Sequence, residues 1–267
     1  MVDCAIILAA GENRRLGLQA EPKFLLPLGN GTFLSRHVEL LSAAGVASIL
    51  VVVNERSAAA FEPRLDSGME IVVSPFPVGT VGSALSLLCG LEASLRIDSG
   101  RSLLVMDADI VYERMLLSMV LDDSTASQLF TVARTAGDVE EVCVYGLPSG
   151  EPLLVGKGLP SSVVGGLAAF GESLGIINLN PDESEYCREL IPWLTSTAHG
   201  AGKTGPMSEH EEVWQYLFTL RRLGVRQLPR ELLFAECDTP DDYEYVRETV
   251  FPAIEKRDRE RRRSLVG

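Results

Sequence analysis

The chain has 267 residues, 46% of them hydrophobic, and a formal net charge of −13. That length buries one large core, so a single α/β domain with a small appended lobe is expected in place of two equal domains. The negative balance excludes a surface built to grip a nucleic-acid backbone, because such binding rests on clustered Lys and Arg.

The same charge repels anionic small molecules, so a phosphate site here must depend on local cations or on a bound divalent metal. The five cysteines, Cys4, Cys89, Cys143, Cys187 and Cys237, are odd in number and widely spaced. No C-x-x-C pair occurs, which argues against a disulfide framework and against a zinc site. Met1-Val2-Asp3 leads into an apolar run without a basic leader, and no apolar run reaches membrane-spanning length. A cytoplasmic protein with no membrane and no nucleic-acid partner is expected. A homodimer, or one domain of a larger polypeptide, is compatible with this composition.

Ala5 to Ala9 predicts a first strand, which empties into the loop Ala10-Gly11-Glu12-Asn13-Arg14-Arg15-Leu16. Without a Cβ at Gly11, backbone N–H groups of such a loop can approach phosphate oxygens. Arg15, and Lys23 after Pro22, supply fixed positive charge where a transferring phosphoryl group gathers negative charge. Arg14 reads either as a further phosphate contact or as a solvated loop residue. Phe33 to Ala44 carries Leu34, Val38 and Leu41 on one helical face, with Gly45 as its stop. Ile49 to Val53 is a strand of the kind buried on both faces. Glu70 to Val73 is a shorter strand, Val81 to Leu95 a helix, and Ser102 to Met106 a central strand running into Asp107. This alternation is that of βαβ units and a mainly parallel sheet.

Beyond Asp107 the rhythm changes. Leu129 to Ala133, Val142 to Leu147, Leu153 to Val155 and Ser173 to Leu179 are short strands joined by turn-rich stretches, the pattern of antiparallel additions. Glu183 to Leu194 and Glu209 to Leu223 read as helices, Leu232 to Ala235 as a strand, and Pro240 to Ile254 as a final helix. Thr239 and Asp242 are spaced as a cap for it. Ser196 to Pro206 reads as a loop, and its Gly202-Lys203-Thr204 is no P-loop because position 197 is Thr where that motif needs Gly. Glu255 to Arg263 is almost wholly charged and reads as a solvated helix end or a linker.

The central strand ends in Asp107-Ala108-Asp109. At the carboxyl edge of a parallel sheet, this i, i+2 spacing sends both carboxylates toward the ligand crevice. Magnesium takes hard oxygen ligands, usually one or two carboxylates with substrate phosphates completing its shell. Helix capping or turn closure is the structural alternative. Glu236 and Asp238 end the late strand with the same spacing.

The stretch L-A-A-G-x-x-x-R-L, with P-K shortly after it, resembles the signature of nucleotidyltransferases, which move a nucleoside monophosphate from a nucleoside triphosphate onto an acceptor phosphate. The resemblance implies a triphosphate loop of Leu8, Ala9, Ala10, Gly11 and Arg14, with Arg15 and Lys23 as the catalytic cations on the phosphates. It also implies a Mg2+ ion held jointly by an acid after the central strand and another near the C-terminal end. Asp109 and Asp238, the latter in E-x-D-T-P-x-D-Y, match as direct ligands, with Asp107 and Glu236 as supporting or second-metal ligands. Pro77 to Ala84 stands where the family places a base-recognition loop, so Thr80, Gly82 and Ser83 are expected on the base, with Thr80 alternatively capping the following helix.

The motif order is most similar to small cytidylyltransferases that use CTP to activate phosphocholine, aminoethylphosphonate and related phosphonates or alcohol phosphates. Gly156-Lys157-Gly158-Leu159 and Gly171-Glu172-Ser173-Leu174-Gly175 resemble the acceptor region of phosphonate and inositol-phosphate members. Lys157 then binds the acceptor's phosphonate and Glu172 its amine or hydroxyl, although both read equally as surface residues. For a cationic acceptor, Glu211 and Trp214 offer charge and cation–π contact, while acids at this helix start also suit its dipole. His210 has no Cys or His partner at ligand spacing and reads as a helix residue.

The resemblance thus implies an α/β fold with a Rossmann-like mixed, mainly parallel sheet flanked by helices and a small acceptor-binding lobe. Residues 1–254 form one domain: a nucleotide-binding core (1–125), an acceptor lobe and sheet extension (126–235), and a metal-ligand segment with the final helix (236–254). Residues 255–267 are a charged tail. The implied partners are CTP and a small phosphorylated or phosphonate acceptor. A sugar-1-phosphate nucleotidyltransferase is the alternative, favoured by Gly79-Thr80. Behind it stand a glycosyltransferase of related fold, for which Asp107-Ala108-Asp109 is a D-x-D, and a non-catalytic regulatory domain.

Overall fold

Strand β1 (Val2–Ala9) is buried along most of its length, as an apolar run lying between two parallel neighbours requires. The computed structural model describes residues 2–11, 16–17, 22–59, 68–97, 100, 102–122, 126–133, 141–196 and 205–266. A 3-10 turn (Lys23–Leu25) and a hairpin of β2 (Pro27–Leu28) and β3 (Gly31–Thr32) lead into α1 (Phe33–Ala43). Thr32 and Ser35 cap α1 reciprocally, and Gly45, at φ 85°, lies just past its end. Next come β4 (Ser48–Asn54), α2 (Glu55–Ala59), β5 (Met69–Ser74), α3 (Ser83–Ser94) and β6 (Ser102–Asp107). They are followed by β7 (Ile110–Tyr112), α4 (Arg114–Asp122), β8 (Gln128–Val132), β9 (Val142–Gly146), β10 (Pro152–Lys157), α5 (Ser161–Val164) and β11 (Ala168–Leu179). The last elements are α6 (Pro181–Leu194), α7 (His210–Thr219), β12 (Gly224–Leu228), β13 (Phe234–Glu236), α8 (Pro240–Tyr245), a π turn (Val246–Val250) and α9 (Phe251–Val266).

Among the described residues nine strands form one mixed sheet in the order β10-β9-β11-β6-β1-β4-β5, with β8 on the other edge of β11 and β12 beyond it. The β6-β1-β4-β5 centre is parallel and β11 joins it antiparallel. Side chains alternate between two cores. Ile7, Val51 and Met106 face α1 and α4, whereas Ile6, Val52 and Val105 face α3, α6 and α7. This is the α/β, Rossmann-like architecture expected, with helices on both faces. No helix among the described residues is long and apolar enough to cross a membrane.

A third core joins parts distant in sequence. Leu16, Leu26, Phe33, Val111, Ala235 and Ile254 meet there, so the loop after β1, the segment after Lys23, the β7 and β13 strands and α9 share one packing unit. Strands β7 and β13 form a separate antiparallel ribbon, with Phe234 opposite Tyr112 and Glu236 opposite Ile110.

The structure corrects several boundaries. Helix α4, strand β12 and the β2–β3 hairpin occur where the pattern predicts no element. Strand β11 starts at Ala168, because a register shift at Gly171 (φ 97°) breaks the alternation that would reveal it. Helix α9 runs through the stretch that reads as a charged tail. Its Asp258 is 7% exposed, pairs with Arg36 at 3.4 Å and accepts the Arg114 N–H at 3.1 Å. Those charges dock the helix against the body of the protein.

Candidate active site

Asp109 sits in the turn between β6 and β7, Glu236 ends β13, and Asp238 follows two residues later. The ribbon pairs Glu236 with Ile110, and Cys237 N–H continues the ladder to Asp109 O at 3.0 Å. The three acids therefore converge, and one carboxylate oxygen from each lies within 4.8 Å of the others. Glu236 keeps an exposed side chain at the cleft, yet partial desolvation there and the charges of Asp109, Asp238 and Asp107 all push its carboxyl up from its ordinary value. Lys23 meets this concentration of negative charge, with Nζ 3.0 Å from Asp109 Oδ2 and 2.5 Å from Asp238 Oδ1. Burial acts to lower the Lys23 pKa, but the two carboxylates outweigh it and hold the ammonium above its usual range. A trio of hard oxygen donors beside a cleft fits a divalent cation such as Mg2+.

Asp107 stands outside that trio. It packs on Gly175, where a Cβ would collide with its Oδ2, and its Oδ1 lies 3.9 Å from His210 Nε2. Burial pushes its carboxyl up to about 7, against the opposing pull of His210.

Leu8, Ala9, Ala10 and Gly11 line one wall of the same cleft. Arg14 and Arg15 lie outside the described residues. Leu16 is buried in the third core. Asn54, at the end of β4, donates to Ala10 O at 3.0 Å while its Oδ1 accepts the Ser57 N–H. Asn54 is not among the residues that the sequence motifs single out. Its signal is a polar residue closing the apolar run Ile49 to Val53.

The base-loop residues are engaged differently from the expectation. Thr80 neither caps α3 nor borders the cleft, because its hydroxyl turns back to Pro77 O at 2.7 Å. The first N–H groups of α3 are satisfied by the segment before α7: Gly82 N donates to Pro206 O, Ser83 N to Glu209 Oε2, and Ala84 N to Ser208 O. A Cβ on Gly82 would run into the Ser208 and Met207 carbonyls, so the glycine permits this strap to approach. Ser83 borders the cleft, but its hydroxyl donates to Glu209 at 2.5 Å and accepts the His210 N–H at 2.9 Å.

Helix α7 and strand β10 form the opposite wall. Gln215 accepts the Val155 N–H and donates to Leu153 O, which fixes the edge strand that ends in Lys157. Lys157, Glu209, Glu211, Glu212 and Tyr216 all line the cleft. Two predicted acceptor residues do not. Trp214 is 1% exposed, because Val213, Trp214, Leu217 and Phe218 form the buried stripe of α7. Glu172 is buried within β11, between Val132 of β8 and Cys143 of β9.

His210 does border the cleft, with the Trp214 ring edge-on to it at 6.0 Å. The Ser83 hydrogen goes to the Glu209 carboxylate, so the contact at 2.9 Å requires His210 Nδ1 to carry a proton. Burial acts to lower the His210 pKa, but Glu211, Asp107 and Glu209 raise it above its usual value.

Residues 5–202 match the MobA-like NTP transferase domain. The chain belongs to this family. It is an enzyme of the nucleotidyltransferase class, acting on a nucleotide and a phosphate substrate. Among solved structures it is similar to the inositol-1-phosphate CTP transferase from T. maritima, with a TM-score of 0.70 and 16% identity over 96% of each chain. It is also similar to a UDP-glucose pyrophosphorylase complexed with UDP-glucose, with a TM-score of 0.69 and 15% identity over 96% of this chain and 100% of the other. No curated protein sequence matches it.

Within this NTP transferase the site is assembled from both sides of the family match. The matched residues contribute Lys23 and Asp109, whereas Glu236 and Asp238 come from the segment beyond position 202.

Proposed function

We propose that this chain is a Mg2+-dependent cytidylyltransferase that moves CMP from CTP to a small phosphonate or alcohol phosphate, such as aminoethylphosphonate or phosphocholine, and releases pyrophosphate. The observation that carries the reading is the convergence of Lys23 with Asp109, Glu236 and Asp238 in a cleft that also holds Lys157 and Glu211. The cleft volume of about 930 Å3 is at the upper end for ligand pockets and accommodates a nucleotide together with a small acceptor. The likeness to an inositol-1-phosphate CTP transferase supports CTP as the donor. Lys157 beside Glu209, Glu211 and Glu212 suits an acceptor with an anionic group at one end and an ammonium at the other.

The acceptor oxygen, already ionised at neutral pH, attacks the α-phosphorus in line. The new P–O bond forms as the bond to the bridging oxygen breaks, and that electron pair leaves with pyrophosphate. No protein nucleophile is needed. Lys23, protonated at neutral pH, offsets charge on the phosphates, and Arg15 is proposed to join it. Mg2+, when bound by Asp109, Glu236 and Asp238, supplies further charge neutralisation. Asn54 holds Ala10, at the start of the proposed phosphate segment, through its carbonyl oxygen. The proposed location is the cytoplasm, where nucleoside triphosphates are available.

A pyrophosphate-release screen tests the reading. With Mg2+, CTP, UTP, GTP, dTTP and ATP are each paired with aminoethylphosphonate, phosphocholine, inositol phosphate and glucose 1-phosphate. Turnover is expected with CTP and a phosphonate or alcohol phosphate. Preference for UTP or dTTP with glucose 1-phosphate would replace the reading with NDP-sugar synthesis, and no turnover with any pair would remove it.

A further inference from the structure

The ribbon that brings Asp109 to Glu236 and Asp238 is paired over three residues on each strand. Two-stranded ribbons of that length are marginal in water, and a slip of one residue would turn Glu236 to the opposite face. A further constraint must therefore fix the register.

Glu113 stands at the end of the ribbon remote from the acids and is completely buried. Its N–H donates to Leu233 O at 3.1 Å, and its Oε1 accepts the Leu233 N–H at 3.0 Å. One residue thus makes both bonds of the rung that follows Tyr112 and Phe234. The carboxylate is held in turn from α9, with Arg261 Nη1 2.9 Å from Oε2 and Arg257 Nη1 3.5 Å from Oε1. Asp258, on the same helix, accepts the N–H of Arg114, the next residue after Glu113. None of these groups lines the cleft. A buried carboxylate persists only where hydrogen bonds and opposite charges offset its desolvation, and here both sets of partners act on the join between the two strands.

We propose that Glu113, clamped by Arg261 and Arg257 of α9, is a positioning residue that fixes the register of the β7–β13 ribbon and thereby the spacing of Asp109, Glu236 and Asp238. The proposal rests on the reading of those acids as the metal site. It gives α9, which lies beyond the matched residues of the family, a part in building the site without touching a substrate.

The test is Mn2+ binding by the full chain without nucleotide, followed by the electron paramagnetic resonance of free Mn2+, with circular dichroism on the same samples. Glu113→Gln keeps an oxygen for Leu233 N–H but removes the charge that the arginines hold. Arg261→Met removes one partner from outside. Glu113→Gln is expected to weaken Mn2+ binding about tenfold or more while the chain stays folded, and Arg261→Met to weaken it by a smaller factor. The Mg2+ concentration for half-maximal turnover should rise with the same ranking, while KM for the nucleotide at saturating Mg2+ stays near wild type. Wild-type Mn2+ affinity in Glu113→Gln overturns the proposal, as does weakened binding that only tracks loss of the folded signal. If the wild-type chain itself binds no Mn2+, the metal-site reading falls and this inference falls with it.

Discussion

Lys23 Nζ lies 2.5 Å from Asp238 Oδ1, although 215 residues separate them in the chain. The pair ties the N-terminal segment around Lys23 to the C-terminal acids, so each is placed by the other. Lys23→Ala is expected to lower kcat for pyrophosphate release by about 100-fold or more, with the far-ultraviolet circular dichroism unchanged. Turnover within twofold of wild type would sink the role given to Lys23.

The grouping of the acids separates two neighbours in sequence. Asp109→Asn and Asp238→Asn are each expected to raise the Mg2+ concentration for half-maximal activity by about tenfold or more. Asp107→Asn, at a position outside the trio and facing His210, is expected to leave that requirement near wild type. Kinetics over a Mg2+ titration, with EDTA-treated enzyme as the zero, check the ranking. An Asp107 variant as metal-hungry as the Asp109 variant contradicts the structural grouping.

Gly82 admits the strap of residues 206–209 to the N-terminus of α3. In Gly82→Ala the added Cβ meets two backbone carbonyls, which cannot rotate away as a side chain would. Strain of this kind costs about 1–3 kcal/mol, so calorimetry should show a Tm lower by several degrees. Because the strap also starts α7, KM should rise for nucleotide and acceptor together. A Tm and both KM values at wild-type levels would show that the strap is not held this way.

His37 is buried beneath the turn between β6 and β7, with Nε2 3.3 Å from Ala108 O and Nδ1 3.1 Å from the Tyr112 hydroxyl. The carbonyl only accepts, so Nε2 carries the proton and Nδ1 accepts from Tyr112. Burial pushes the pKa of His37 down to about 4. The unfolded chain, with an ordinary histidine, binds the proton first as pH falls, so stability is lost between about pH 6.5 and 4. A displacement of that size is worth about 3 kcal/mol at most. Urea unfolding across this range should show the decline in wild type and a shallower slope in His37→Gln. Equal slopes would exclude His37 as its source.

The parts of the fold legible in the sequence are those set by neighbours along the chain. Val51, Val105 and Ile6 lie in strands buried on both faces, which tolerate no polar residue and so read as continuous apolar runs. Thr239 and Asp242 cap α8 as their spacing indicates. Val213, Trp214, Leu217 and Phe218 also carried a local signal, since their helical spacing marks Trp214 as a core residue and not a ligand of the cleft. The start of α9 and a helix end beyond it were legible, but its docking was not, because its charges dock it through Glu113 and Arg36 and a periodicity of apolar residues cannot register ion pairs.

By itself, the sequence determined the alternating α/β core, the nucleotidyltransferase signature around Gly11 and Lys23, and the presence of two acidic pairs at strand ends. Only the tertiary structure decided that Glu236 joins Asp109 and Asp238 while Asp107 turns to His210. It also decided that Ser83 is bound by Glu209 and that His210 borders the cleft. The physical reason is that apolar periodicity and turn chemistry are properties of a short stretch of chain. Which side chain faces the cleft depends instead on the register of strands paired across more than a hundred residues, and on which distant group reaches each polar atom first.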